Sequence, residues 1–199
     1  MVDLLVGLQR HGLGRADELH ALGLPDWRGP ALTQALRALL ARRAAELPAD
    51  DQQLLATFAD QLPSRFDALA TCGLPDGLVH GDFHPGNLRG DGQRLTLLDW
   101  ADSGIGHPLL DQPAFLQRLN AADALAVQAH WVQAWQQALP QADPARAARL
   151  LAPVAAARQA LIYQRFLDQI EEAEHPYHRA DVRLWLQRTA QQLRQQAAA

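Results

Sequence analysis

Two short β-like runs in the middle of the chain limit the folds it can adopt. Residues 78–80 and 94–98 are β-prone, and strong turn signals at Pro85-Gly86 and Gly90-Asp91-Gly92 separate them. The sequence on both sides instead repeats its apolar residues at helical spacing. We therefore predict an α+β fold that is predominantly helical, with one small β-hairpin that carries a functional loop.

Helix-start residues and apolar periodicity predict a series of long helices around this hairpin. Pro63 is expected to lie just beyond the second of them, and Pro153 is expected to kink or split the fourth. No internal repeat or polar linker divides the chain, so a single domain is predicted over residues 1–199. The predicted helices span about 30–47, 50–62, 121–139, 144–166 and 181–193.

Composition and charge exclude several classes of protein. The formal net charge is −4, whereas a nucleic-acid-binding domain would carry a basic surface. No apolar run approaches the roughly 18 residues that a membrane span requires. Cys72 is the single cysteine, so no internal disulfide can form, which is typical of a reducing compartment. We predict a soluble cytoplasmic protein with neither a nucleic-acid nor a membrane partner.

All basic residues of the chain are arginine, 18 in number, and the sequence contains no lysine. This absence excludes mechanisms that need a lysine within these 199 residues. Among them are a Walker-type phosphate site, a Schiff base and the phosphate-anchoring lysine of kinases.

Three oxygen-bearing side chains are predicted to meet at the hairpin. Asp82 and Asn87 lie five residues apart on the loop after the first strand, and Asp99 ends the next strand. Hairpin pairing would bring Asp99 back beside that loop. The set supplies one carboxylate to accept a proton and two oxygen ligands suited to Mg²⁺. Phosphoryl transfer requires this combination, and protein kinases use the same Asp-to-Asn spacing.

The pattern H-G-D-x-H-x-x-N followed by L-D-W resembles the aminoglycoside phosphotransferase and choline kinase family of the kinase-like fold. The resemblance is strongest over residues 78–111, where Gly104–Asp111 is also similar to a segment of that family. It implies the C-terminal lobe of such a kinase, with ATP as phosphate donor and residues 112–196 as a helical substrate-side subdomain. The roles it implies are Asp82 as catalytic base, Asn87 and Asp99 as Mg²⁺ ligands, and His80 and Asp111 as loop supports. His84 either supports the loop or contacts substrate.

Two other metal chemistries are excluded by missing partners. Gly81-Asp82-Phe83-His84 also matches the G-D-x-H that opens metallophosphoesterases, but their downstream G-D-x-x-D and G-N-H-E patterns do not occur. Zinc is not expected, because one cysteine leaves no pair at finger-like spacing.

The family resemblance also implies a β-rich N-terminal nucleotide lobe, which these residues do not contain. We expect a truncated form of a two-lobed enzyme. The alternatives are an orphan lobe that acts as a non-catalytic binding or regulatory module, and a nucleotide lobe supplied by another polypeptide. Because the face that would meet the missing lobe is exposed and partly apolar, self-association through it is expected.

The acceptor is expected to be a small-molecule alcohol, an amino alcohol or an aminoglycoside. Family members recognise cationic acceptors with acidic and aromatic residues of their C-terminal helices. Such residues occur here at Tyr163, Asp168, Glu171 and Glu172. The alternative interpretation is a solvated acidic helix face.

Overall fold

A computed structural model describes residues 1–198, apart from the side chain of Ala44. The fold is mostly helical α+β, as predicted. The helices are α1 (Val2–His11), α2 (Ala16–Ala21), α3 (Gly29–Arg43), α4 (Ala49–Ala70), α5 (Gln112–Leu116), α6 (Ala121–Ala138), α7 (Pro144–Leu167), α8 (His175–His178) and α9 (Asp181–Ala197). The strands are β1 (Gly77–Val79), β2 (Leu88–Gly90), β3 (Leu95–Leu97) and β4 (Gly104–Gly106). Among the helices of residues 1–198, none combines the length and apolar character needed to cross a bilayer.

The strands form two separate antiparallel pairs, so the prediction of one hairpin is wrong. Strand β2 pairs with β3, with Leu88 opposite Leu97, and the turn at Gly90-Asp91-Gly92 connects them. Strand β1 pairs with β4, with Leu78 opposite Ile105. The sequence reasoning missed β4 because Gly104-Ile105-Gly106 has two glycines and none of the alternation typical of a strand.

The glycines of β4 are explained by the close approach of Trp27. A Cβ on Gly104 would lie 2.5 Å from the Trp27 indole, and one on Gly106 would lie 3.2 Å from its Cβ. The backbone N–H of Trp27 donates to the carbonyl of Ile105 at 2.7 Å. A residue with a side chain at either glycine would displace this segment from the strand.

Residues 1–198 divide into two compact units, of which the first comprises Met1–Arg28 and Ala68–Leu151. It contains both β pairs, and α1 packs against α6 within it. Its core is aromatic: Phe83 stacks on Phe115 at 5.2 Å between ring centroids and meets the edge of Trp131 at 5.6 Å. Because Phe83 belongs to the segment between β1 and β2, this core anchors the predicted catalytic loop to α5 and α6.

The second unit comprises Gly29–Asp67 and the chain from Ala152 onward, and it is helical. Apolar faces of α3, α4 and α9 supply its core, with Leu36, Phe58 and Leu186 almost fully buried. Arg194 of α9 pairs with the buried carboxylate of Asp51 in α4. The prediction of one lobe over 1–199, with subdivisions at 78–111 and 112–196, stays a prediction.

Both internal prolines lie within continuous helices, so Pro63 does not lie beyond its helix and Pro153 does not split its own. The kink that was the alternative expectation at Pro153 stays a prediction. Helix α4 passes through Pro63 and ends at Ala70, and α7 passes through Pro153 without splitting. A proline removes only one N–H from the ladder, and the buried residues that follow it keep the helix packed. In α4 these are Leu69 and in α7 Val154 and Leu161.

Candidate active site

The loop between β1 and β2 begins with a backbone conformation that requires glycine. Gly81 has φ +97°, and an added Cβ would overlap the backbone carbonyl of Asp102. The loop ends in a 3₁₀ turn, Pro85–Asn87. Between these two points the chain carries Asp82, Phe83 and His84.

Asp111 holds the start of this loop through backbone N–H groups. It lies in the 3₁₀ turn Pro108–Asp111 and is fully buried. Its Oδ2 accepts from the N–H of His80 at 2.9 Å, and its Oδ1 accepts from the N–H of Gly81 at 2.8 Å. Two amides on one carboxylate fix the orientation of the peptide that precedes Asp82.

His80 connects the loop to the strand that precedes Asp99. Its imidazole is fully buried, and its Nε2 donates to the carbonyl of Leu98 at 2.9 Å. Its Nδ1 accepts from the N–H of Asp82 at 3.3 Å, so the partners assign the proton to Nε2. The Trp100 ring lies 4.6 Å from the imidazole, between centroids. Trp100 thus packs against His80, the side chain that connects the loop to this strand.

The carboxylate of Asp82 is oriented by two neighbours on its own loop. Asn87 Nδ2 donates to the Asp82 backbone carbonyl at 3.0 Å and to its Oδ2 at 3.2 Å. His84 Nε2 lies 3.2 Å from the same Oδ2, while His84 Nδ1 accepts from the N–H of Gly86 at 2.9 Å. The other carboxylate oxygen, Oδ1, has no partner among the described residues. Asp82 therefore presents one fixed, available oxygen.

Asp99 combines an unusual backbone conformation with an exposed carboxylate. Its φ of +60° makes it the one non-glycine residue of the described chain in the left-handed region. Such residues cluster at functional sites, because the surrounding structure must compensate their strain. The N–H of Leu98 donates to the carbonyl of Asn87 at 2.8 Å, so Asp99 directly follows a residue bonded to the loop.

The donor atoms of Asn87 and Asp99 suit a hard cation. Because Asn87 uses its Nδ2 within the loop, its amide oxygen is directed elsewhere and accepts from none of the described residues. The Asp99 carboxylate is likewise unpartnered within the described part of the chain. Mg²⁺ typically takes one or two protein oxygens and completes its shell with water and phosphate oxygens. No cluster of three or more His, Cys, Asp and Glu side chains that could hold a metal occurs in residues 1–198.

His107 stands at the N-terminus of the turn that carries Asp111. Burial alone lowers the pKa of its imidazole from 6.5 to about 3, so the ring is neutral at physiological pH. Its Nδ1 can then accept from the N–H of Leu109 at 3.2 Å, and it does so. The neutral ring caps the turn and holds Asp111 in place.

The residues expected to bind the acceptor lie in the second unit. Asp168 accepts from both Nη atoms of Arg42 at 2.8 and 3.0 Å, and this guanidinium lowers the pKa of the carboxyl. Glu171 and Glu172 are exposed, and Tyr163 is half-buried.

The second unit also contains a cavity of about 450 Å³, lined in part by Pro30, Pro63, Phe66 and Asp67. None of the four expected binding residues lines it.

Sequence reasoning missed Gln9, whose side chain contacts Asp111. Helix α1 buries the face formed by Val2, Leu5, Val6 and Gln9. These positions follow the i, i+3, i+4, i+7 spacing of an apolar stripe, so a glutamine at the fourth is an exception to the pattern. A polar residue in this apolar stripe was the sequence signal that could have identified Gln9.

Comparison with known proteins supports the family resemblance that the sequence of this loop indicated. Residues 1–112 match the sequence profile described as phosphotransferase enzyme family, APH. The matched segment includes the loop, Asp99 and Asp111, and it covers more than half of the chain. A search of curated proteins gives no significant match. The chain therefore belongs to the phosphotransferase enzyme family.

Proposed function

We propose that the protein transfers the γ-phosphoryl group of ATP to the hydroxyl of a small molecule, with Asp82 as catalytic base. Kinases of its family use ATP. The observation that carries the proposal is the Asp82 carboxylate, held at Oδ2 by His84 and Asn87 while Oδ1 stays available. A base must have one fixed oxygen within reach of the acceptor proton.

Asp82 Oδ1 would accept a hydrogen bond from the acceptor hydroxyl and direct its oxygen toward the γ-phosphorus. The bond from γ-phosphorus to the bridging oxygen of ATP breaks as the new P–O bond forms, and ADP leaves. The hydroxyl proton passes to Asp82 and then to solvent. Phosphoryl transfer needs little covalent chemistry from the protein, so orientation accounts for most of the base's contribution.

Asn87 Oδ1 and the Asp99 carboxylate are the groups that would hold Mg²⁺. The ion, when bound, neutralises negative charge on the transferring phosphate. The left-handed backbone at Asp99 and the bond from Leu98 to Asn87 support this pairing, because both fix where the strand end lies relative to the loop.

For the acceptor we propose an alcohol that also carries a cationic amine, such as an amino alcohol or aminoglycoside. Glu171 and Glu172 supply exposed negative charge in the second unit. Asp168 already neutralises Arg42, so we expect less from it in binding. Tyr163 could add an aromatic surface for the cation.

The test is phosphate transfer from labelled ATP to a panel of small-molecule alcohols, with and without amines. Asp82→Asn keeps the size of the side chain and removes its basicity, so turnover should fall by about a hundredfold or more. Its thermal unfolding should stay close to that of the wild type. Retained turnover would show that Asp82 is not the base.

A second candidate is a non-catalytic binding or regulatory module, and the absence of lysine favours it. Without that side chain the chain lacks the usual cation for the ATP phosphates. Phosphate transfer by the wild type that Asp82→Asn abolishes would exclude this candidate.

A further inference from the structure

We infer that Gln9 is a positioning residue for phosphoryl transfer, acting through Asp111 on the loop that carries Asp82. The inference rests on the proposed function of that loop. Gln9 lies 102 positions before Asp111 in the sequence, and the two side chains meet in a buried hydrogen bond.

The Gln9 amide uses both of its N–H groups on the turn that contains Asp111. Nε2 donates to Asp111 Oδ2 at 3.0 Å and to the carbonyl of Pro108 at 3.1 Å. Both partners are acceptors, so only the NH₂ end of the amide can face them, and the orientation of the amide follows. One side chain thus fixes both ends of the turn Pro108–Asp111 against α1.

The Asp111 oxygen that Gln9 contacts is also the one that holds the loop. Oδ2 accepts from Gln9 and from the backbone N–H of His80, which is two residues before Asp82. Movement of this oxygen would therefore move the peptide that leads into the base. The path from α1 to Asp82 consists of two hydrogen bonds and two peptide units.

The burial of Gln9 is unfavourable for stability alone. Its exposure is 1 %, and its Oε1 has no hydrogen-bond partner among the described residues. An unsatisfied buried acceptor destabilises a fold, and an apolar residue of similar length would avoid that penalty. Leu5 and Val6 of the same face are apolar. The distinguishing contribution of Gln9 is its pair of donors, which points to a role at Asp111.

The test compares Gln9→Met with Val6→Ala. Methionine keeps the length and apolar packing of the glutamine stem and removes both donors. Val6 lies on the same buried face, one turn earlier, and its truncation weakens packing without removing a hydrogen bond to Asp111. Variants are compared after correcting for the loss of thermal stability that each one shows.

Amide hydrogen exchange gives a readout that needs no substrate. In Gln9→Met, exchange at the His80 N–H should accelerate about tenfold, and more than at the Gly81 N–H, since His80 shares Oδ2 with Gln9. Val6→Ala should accelerate the two amides equally. Unchanged exchange at His80 in Gln9→Met would overturn the inference, whether or not the chain transfers phosphate.

Kinetics then separates positioning from a structural role. We expect kcat to fall about tenfold in Gln9→Met, with KM for ATP changed less than about threefold. An equal fall in Val6→Ala at matched stability would mean that Gln9 is merely structural. If the wild type transfers no phosphate to any acceptor, the proposed function fails, and the exchange result still decides whether Gln9 holds the loop.

A second variant tests the inference even if Gln9→Met does not fold. Gln9→Glu preserves the shape and places a carboxyl group against Asp111. Ionised, it repels Asp111, and protonated, it can donate again, so activity relative to wild type should recover from pH 8 toward pH 6. An activity ratio independent of pH would contradict the inference.

Discussion

At the scale of single residues, Gly81 shows why the loop begins where it does. Its left-handed backbone and the nearby carbonyl of Asp102 both exclude a side chain. The sequence indicated the H-G-D pattern and therefore the position of this glycine. It could not indicate the carbonyl of Asp102, because the contact joins residues 21 positions apart through the fold.

Gly81→Ala should destabilise the protein more than Gly92→Ala. Both glycines have positive φ, which costs an alanine about 1–2 kcal/mol. Around Gly92, however, no heavy atom of the described chain beyond its two sequence neighbours lies within 4 Å of the new Cβ, whereas Gly81 must shift its backbone. Steric overlap adds about 1–3 kcal/mol. Urea unfolding of both variants measures the difference, and equal losses would refute the steric explanation.

At the scale of elements, the helices were predictable and their ends were not. Apolar periodicity indicated α3, α6 and α9, because that pattern records which face is buried. Pro63 was expected to lie beyond the end of its helix, yet α4 continues for seven residues after it. Burial of Leu69, nearly two turns later, outweighs the lost hydrogen bond. Such tertiary packing is absent from local sequence.

Pro63→Ala should stabilise the protein by about 1–3 kcal/mol, because it restores one backbone hydrogen bond in an exposed part of α4. Pro153→Ala is the matched control in α7. Pro153 is buried, so the lost apolar contact offsets the gained hydrogen bond and the net change should be smaller. Chemical unfolding gives both values. Destabilisation by Pro63→Ala would show that the ring is accommodated without penalty.

The turn Pro108–Asp111 should make stability depend on pH through His107. Burial depresses its folded pKa to about 3 from 6.5, so the unfolded state binds the proton first as pH falls. Stability is therefore complete above pH 6.5 and is lost between 6.5 and 3, by about 2 kcal/mol at pH 5.

His107→Asn should flatten this dependence, because asparagine can cap the N–H of Leu109 without titrating. Unfolding free energies of both proteins, measured from pH 7.5 to 5, isolate the contribution of the histidine. Parallel curves would mean that the imidazole is solvated or paired in the folded state.

At the scale of the whole molecule, the family match and the loop geometry concern the same part of the chain. The match covers residues 1–112, which include the loop, Asp99 and Asp111. The H-G-D-x-H-x-x-N and L-D-W patterns indicated Asp82, Asn87 and Asp99, because the proposed chemistry would restrict the residue type at these positions. Gln9 and His107 were missed because their hydrogen bonds to the turn Pro108–Asp111 form only in the folded chain, and no local motif marks either residue. The expected acceptor residues and self-association remain predictions.

Binding of Mg-ATP separates the two proposed functions for the chain as a whole. A ligand that binds only the folded state raises its stability by RT ln(1 + [L]/Kd), about 1.4 kcal/mol at ten times Kd. For a chain of 199 residues this corresponds to roughly 3–6 °C in the unfolding temperature. We expect such a shift with millimolar ATP and Mg²⁺, and a smaller one with ATP and a chelator.

Asp99→Asn should reduce the Mg²⁺-dependent part of the shift, since asparagine tolerates the left-handed backbone but lacks the charge that favours the ion. Asp67→Asn, an exposed carboxylate of the second unit, is the control and should leave the shift unchanged. No shift in the wild type would favour the non-catalytic module, because a phosphotransferase must hold its phosphate donor. A shift that survives Asp99→Asn would place the cation on other oxygens.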